Sequence, residues 1–137
     1  MGIKNKVTII IRTKNVEWII SQTLTSLFSQ NFNDFNLLIV DSGSTDQTLN
    51  IIKDYPHKLI QIKKKHYFPG PIINDALKIC ETPLIVMLNS DSVMLTPSTL
   101  ENLIEPLLNE QTTAIATVGR QLPRHDAKLW VKRDYQQ

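Results

Sequence analysis

Three groups of polar side chains in this sequence each close an apolar run. Arg12, Thr13, Lys14 and Asn15 follow Val7 to Ile11, Asp41 and Ser42 follow Leu37 to Val40, and Asn89, Ser90 and Asp91 follow Leu84 to Leu88. Carboxylates, amides and hydroxyls in such a set can hold a polar ligand. Asp91 with Asn89 offers the hard oxygen donors suited to Mg²⁺ or Mn²⁺, which in turn can bridge a diphosphate. Spacing alone leaves a second reading open for this pair, as ordinary turn formers at a strand end. Neither GxxxxGK[ST] nor GxGxxG follows any of the runs, so the P-loop and the dinucleotide fingerprint do not apply.

The elements that must position these groups follow from periodicity. The runs at 7–11, 37–40 and 83–88 lack polar alternation and read as parallel strands buried on both faces. In an open α/β sheet, ligands bind at the carboxyl ends of the strands, the edge that all three polar groups share. Apolar residues at helical spacing predict helices over 16–30, about 45–54, 72–80 and 98–109. Trp18 is expected in the core or on its rim, and Ile73, Ala76, Leu77 and Cys80 on the inner side of the third helix. Ser44 with Gln47 three residues on is a capping-box pattern that opens the second helix at Thr45, and Asp46 complements the dipole of its first turn. Thr96 and Pro97 form an N-cap and N1 pair for the last helix, in which Pro106 is a kink or an early end. Shorter strands are expected at 58–62 and 112–118. The class is α/β, a mostly parallel sheet flanked by helices.

A chain of 137 residues fits one domain, 1–137, with a real core. Its 42% hydrophobic and 20% charged residues are ordinary for a soluble globular protein, and a net charge of +2 is too small to argue for nucleic acid. The single cysteine, Cys80, reads as a small core hydrophobe in a reducing, cytoplasmic compartment. No stretch approaches the ~18 apolar residues of a membrane span. His57, His66 and His125 lack metal-ligand spacing. Lys63, Lys64, Lys65 and His66 form a basic run with two readings, a solvated loop or a phosphate contact.

Taken together, the strand ending in Arg12 to Asn15, the string Asp41, Ser42, Gly43, Ser44, Thr45, Asp46, the loop and helix start from Gly70 to Asn74, and the strand ending in Asn89, Ser90 and Asp91 resemble a family 2 glycosyltransferase. The likeness is to the nucleotide-sugar half of its GT-A fold, over about residues 5–122, and is greatest to rhamnosyltransferase-like members. The resemblance implies a Rossmann-like nucleotide-diphospho-sugar transferase fold, incomplete here at its C-terminal side. It further implies an inverting, metal-assisted transfer from a UDP- or dTDP-linked donor to a saccharide or lipid-linked acceptor. Arg12, Thr13, Asn15, Ser42, Asn74 and Asn89 would line the donor pocket, Asp41 would accept a hydrogen bond from the base, and Asp91 would contact the divalent metal. Peripheral attachment at the inner membrane surface and self-association through apolar surface are compatible with it. Two features depart from the family pattern: Asn89 stands where an acid is usual, and Pro71 stands where relatives often carry Arg or Lys, a contact that Lys63 to Lys65 would then supply. No residue matches the family's general base. A binding module without catalysis is the competing reading, and a nucleotidyltransferase, which would want a Gly-rich, Arg- or Lys-bearing loop after the first strand, is a third.

Overall fold

The computed structural model describes residues 6–62 and 69–128. The basic run at 63–66, Tyr67, Phe68 and Trp130 in the tail lie outside the described residues. Two compact units divide the chain, Met1–Asn102 and Leu103–Gln137.

The first unit is a four-stranded parallel sheet in the order β3-β2-β1-β4, built from β1 (Val7–Thr13), β2 (Phe35–Asp41), β3 (Lys58–Gln61) and β4 (Leu84–Asn89). β1 and the apolar end of β2 are buried on both faces as their unbroken apolar runs require, with Ile9, Ile10, Ile11 and Ile39 at 0% exposure. α1 (Ile20–Phe28) and α2 (Thr48–Ile52) touch each other, while α3 (Pro69–Lys78) lays Ile72 and Ala76 against Ile10, Leu38 and Val40. That division follows from topology. The crossovers β1-α1-β2 and β2-α2-β3 step one way along the sheet and β3-α3-β4 steps back, so right-handed connections put α3 on the other face.

Several elements differ from the sequence expectation. β4 is the outer strand of the described sheet rather than a doubly buried one, and Met87 is 47% exposed, because β1 is its one partner. α1 begins at Ile20, so Trp18 falls in the preceding turn, off the helical stripe and 58% exposed. α3 starts at Pro69, three residues early, since prolines in a first turn forgo N–H groups that have no helical partner anyway. Its inner face is Ile72 and Ala76, whereas Leu77 is exposed.

α4 (Thr99–Leu108) carries Pro106 inside its last turn without ending there. In the second unit the Thr112 hydroxyl donates to the carbonyls of Pro106 and Asn109 at the helix end, and Thr117 donates to Leu103 O. The run 112–118 is irregular and pairs with no described strand, leaving Ile115 and Val118 exposed. An apolar run becomes a strand only where a second backbone completes the ladder.

Ile9 sits at the centre of the sheet, with partners on both β2 and β4. Ile9→Ala is expected to lower the unfolding free energy in urea by about 3 kcal/mol and Ile9→Val by about 1 kcal/mol.

Candidate functional site

The strand order reverses between β1 and β4, and a reversal of this kind opens a crevice outside the carboxyl ends of the strands. The polar groups meet at that place. Thr13 is the register partner of Asp41 on β2, and Arg12 is the register partner of Asn89 on β4. Asp91 follows two residues beyond, exposed, on a turn in which Ser92 N–H donates to Asn89 O.

Asp41 is fully buried, so its charge needs donors. Oδ1 accepts from the backbone N–H groups of Gly43 (3.0 Å) and Ser44 (2.9 Å), and Oδ2 accepts from the hydroxyls of Thr13 (3.1 Å) and Ser44. Gly43 makes this cradle possible: at φ 82° the chain turns back over the strand end and aims two successive N–H groups at one oxygen. The Ser44 hydroxyl therefore serves Asp41 and does not cap α2, contrary to the capping-box expectation. Asp46 takes over that work from outside the helix, accepting from Thr48 N–H at 3.0 Å, which is why α2 begins at Thr48 rather than Thr45.

The β1-α1 and β2-α2 loops are fastened to each other. Asn15 N–H donates to Ser44 Oγ and Asn15 Oδ1 accepts from Thr45 N–H; Val16 N–H donates to Thr48 Oγ1. Glu17 bonds the β2-α2 loop in both directions, its N–H donating to Asp46 Oδ2 and its Oε2 accepting from Gln47 N–H. Asn15 adopts φ 48°, a left-handed conformation that Asn tolerates better than most residues. Sequence reading missed Glu17, Ser44 and Thr48 as members of this clasp. Their one visible signal is a density of short polar side chains after two buried strands.

Of the residues singled out in the sequence, Arg12, Thr13, Asn15, Asp41, Ser42 and Asn89 gather at this edge. Ser42 is buried and its N–H donates to Thr13 O. Asn74 stands apart, exposed in the middle of α3, and no hydrogen bond joins it to the strand ends. Among the described residues no three His, Cys, Asp or Glu side chains converge as a metal cage. The donor set still fits Mg²⁺ or Mn²⁺, because such ions are held by one or two carboxylates plus substrate phosphates, and the Asp91 carboxylate receives no hydrogen bond from a described residue. A groove of about 520 Å³ lies at the opposite ends of the strands, lined by Thr8, Phe35, Lys58 and Cys80 among others. Burial pushes the Cys80 thiol up from its ordinary value, which disfavours the thiolate, and the thiol donates to Ala76 O.

Asn15→Ala, which loses the side-chain bond and strains the backbone, is expected to cost about 2 kcal/mol of stability, and Asn15→Gly about half of that, measured by urea unfolding. Partial desolvation raises the Asp46 carboxyl, but hydrogen bonds from Thr48 and Glu17 outweigh it and hold the group below its ordinary 3.8. Its contribution is present above that ordinary value and fades as pH falls through the lowered one. Asp46→Asn is expected to flatten the acid limb of the stability profile.

The sequence matches the Glycosyl transferase family 2 description over residues 8–134. It is 38% identical over 92 residues to the O-antigen chain rhamnosyltransferase WbaN of Salmonella anatum, an alignment covering 66% of this chain and 29% of that one. The crystal structure of TarS 1–349 from Staphylococcus aureus in complex with UDP-GlcNAc superposes with TM-score 0.64 at 33% identity, covering 73% of this chain and 31% of that one. The mannosyltransferase PcManGT from Pyrobaculum calidifontis shares the fold, with TM-score 0.67 at 23% identity over 77% of this chain and 33% of that one. The chain thus spans about a third of the length of these relatives or less. With a four-stranded parallel sheet, a reversal of strand order at the polar edge and a family match from residue 8 to residue 134, the chain belongs to glycosyl transferase family 2.

Proposed function

We propose that this chain binds a nucleotide-diphospho-sugar at the carboxyl edge of its sheet, for inverting, metal-assisted transfer of the sugar to a saccharide or lipid-linked acceptor. The observation that carries the reading is the register at the reversal point, where Thr13 meets Asp41 and Arg12 meets Asn89 beside the exposed Asp91. A UDP- or dTDP-linked donor suits this edge, because both bases carry an imide N–H for which a carboxylate is the strong acceptor. The UDP-GlcNAc complex of TarS supports the uridine alternative.

In this reading Asp41 takes the base. All of its lone pairs are occupied, so one hydroxyl donor must turn away, and Ser44, half-buried over the carboxylate, is the one placed to yield. Arg12, Asn15 and Ser42 would line the nucleoside side of the pocket and Asn89 the side toward the sugar, while Asn74, apart from this edge, would reach only a part of the donor that extends toward α3. Asp91 would hold Mg²⁺ or Mn²⁺, which supplies the neutralisation of charge on the leaving diphosphate. The acceptor base is assigned to no residue of this sequence. A lipid-linked acceptor would bring the chain to the cytoplasmic face of a membrane; no helix among the described residues is long and apolar enough to cross one. Ile115, Val118 and Leu122, all exposed, are the surface through which copies would associate.

A second reading, nucleotide-sugar binding without catalysis, is favoured by the neutral Asn89 at a position suited to an acid. Calorimetric titration with UDP, dTDP and GDP, each with and without Mn²⁺, separates the two. Binding of UDP or dTDP is expected, at least tenfold tighter with Mn²⁺ (~1.4 kcal/mol) and lost by tenfold or more in Asp41→Ala. No binding by any of the three overturns both readings. Binding with neither sugar transfer nor donor hydrolysis selects the second.

A further inference from the structure

The loop between β4 and α4, residues 90–98, carries Asp91, and its own bonds are short-range turns at its two ends, Ser92 to Asn89 and Thr96 to Ser98 and Thr99. Val93 and Leu95 are 40% and 71% exposed, so apolar burial contributes little, and the segment contains neither helix nor strand. Its anchors are polar and come from one face of α1 and the turn that follows it. The Thr23 hydroxyl donates to Ser90 O at 2.9 Å, and Met94 N–H donates to Ser26 Oγ at 3.0 Å. The Gln30 amide donates to Thr96 O at 2.9 Å while its oxygen accepts from Leu100 N–H at 2.9 Å, and Asn31 N–H donates to Pro97 O. Residues 23, 26 and 30 follow helical spacing, and they meet the loop in sequence order.

Two of these side chains are enclosed, Thr23 at 0% exposure and Gln30 at 6%. An enclosed hydroxyl on a helix face ordinarily returns its proton to a carbonyl of its own helix, as Ser26 does to Thr23 O. Thr23 instead donates outward, to the carbonyl immediately before Asp91.

We infer that Thr23, backed by Ser26 and Gln30, is a positioning residue for Asp91: it pins the Ser90 carbonyl and so sets where the Asp91 carboxylate stands relative to the divalent cation on a bound diphosphate. This rests on the donor-site reading given above. Thr23 touches neither nucleotide nor metal. Its influence is confined to the turn, so it acts on the metal-dependent part of binding and leaves the nucleoside part, which β1 and β2 hold, as it was.

The test uses Thr23→Val, which keeps the shape and removes the donor, and Thr23→Ser, which restores it. UDP binding is titrated by calorimetry with and without Mn²⁺, and amide hydrogen exchange is followed at Ser92 and Met94. The expected result for Thr23→Val is unchanged affinity for UDP alone, loss of most of the Mn²⁺-dependent gain (about tenfold), and faster exchange at both amides. Thr23→Ser is expected to restore the gain and the slow exchange. A Thr23→Val protein that keeps the full Mn²⁺ gain overturns the positioning role alone, as does one that loses affinity equally with and without metal. A wild-type protein with no Mn²⁺ gain overturns the metal-assisted donor reading, and the role with it.

Discussion

A buried carboxylate must be met by donors, and Asp41 draws on both sides of the β1/β2 pair to satisfy that need. Its backbone donors come from the turn that Gly43 makes possible, and a hydroxyl comes across from Thr13 on the neighbouring strand. Once the Ser44 hydroxyl is committed to Asp41, its oxygen remains free to accept from Asn15 N–H, which carries the constraint into the next loop. Asn15, Val16 and Glu17 then fasten to Thr45, Asp46, Gln47 and Thr48, and the two loops become one polar body. Apolar burial holds the strands together. Hydrogen bonding decides the shape of the surface a ligand would meet.

The other half of the edge is built differently. Among the described residues β4 has a partner on one side only, and the loop after it is held by side chains of α1 and the turn that follows it. The crevice therefore has one wall fixed by a buried anion and another fixed by a row of individual polar contacts. Bonds of the second kind contribute about 1 kcal/mol each and can be gained or lost singly, so this wall is the more adjustable of the two.

How far the sequence could be read depended on the range of the forces involved. β1 and β2 were visible because burial on both faces leaves an unbroken apolar run, and the strand-end groups came with them. The capping box at Ser44 was misread because Asp41, three residues earlier, competes for the same hydroxyl. Trp18 was misplaced because the helix starts later than its apolar spacing implied. The run at 112–118 has strand composition but no described strand to pair with, and composition cannot supply a partner. Glu17, Thr23, Ser26 and Gln30 looked like ordinary surface polarity on a helix or loop, since each acquires its partner only from a distant part of the chain.

The sequence by itself determined which segments are buried strands, that polar groups close three of them, that Gly43 permits a sharp turn, and, through the string from Asp41 to Asp46, the family resemblance. These are properties of neighbouring residues and survive without a fold. Only the tertiary structure decided that β4 is the outer strand of the described sheet, that Thr13 faces Asp41 and Arg12 faces Asn89, and that a face of α1 holds the turn bearing Asp91. Register and crossover direction bring together residues separated by 28 to 77 positions, and a hydrogen bond exists only once both of its ends have been placed.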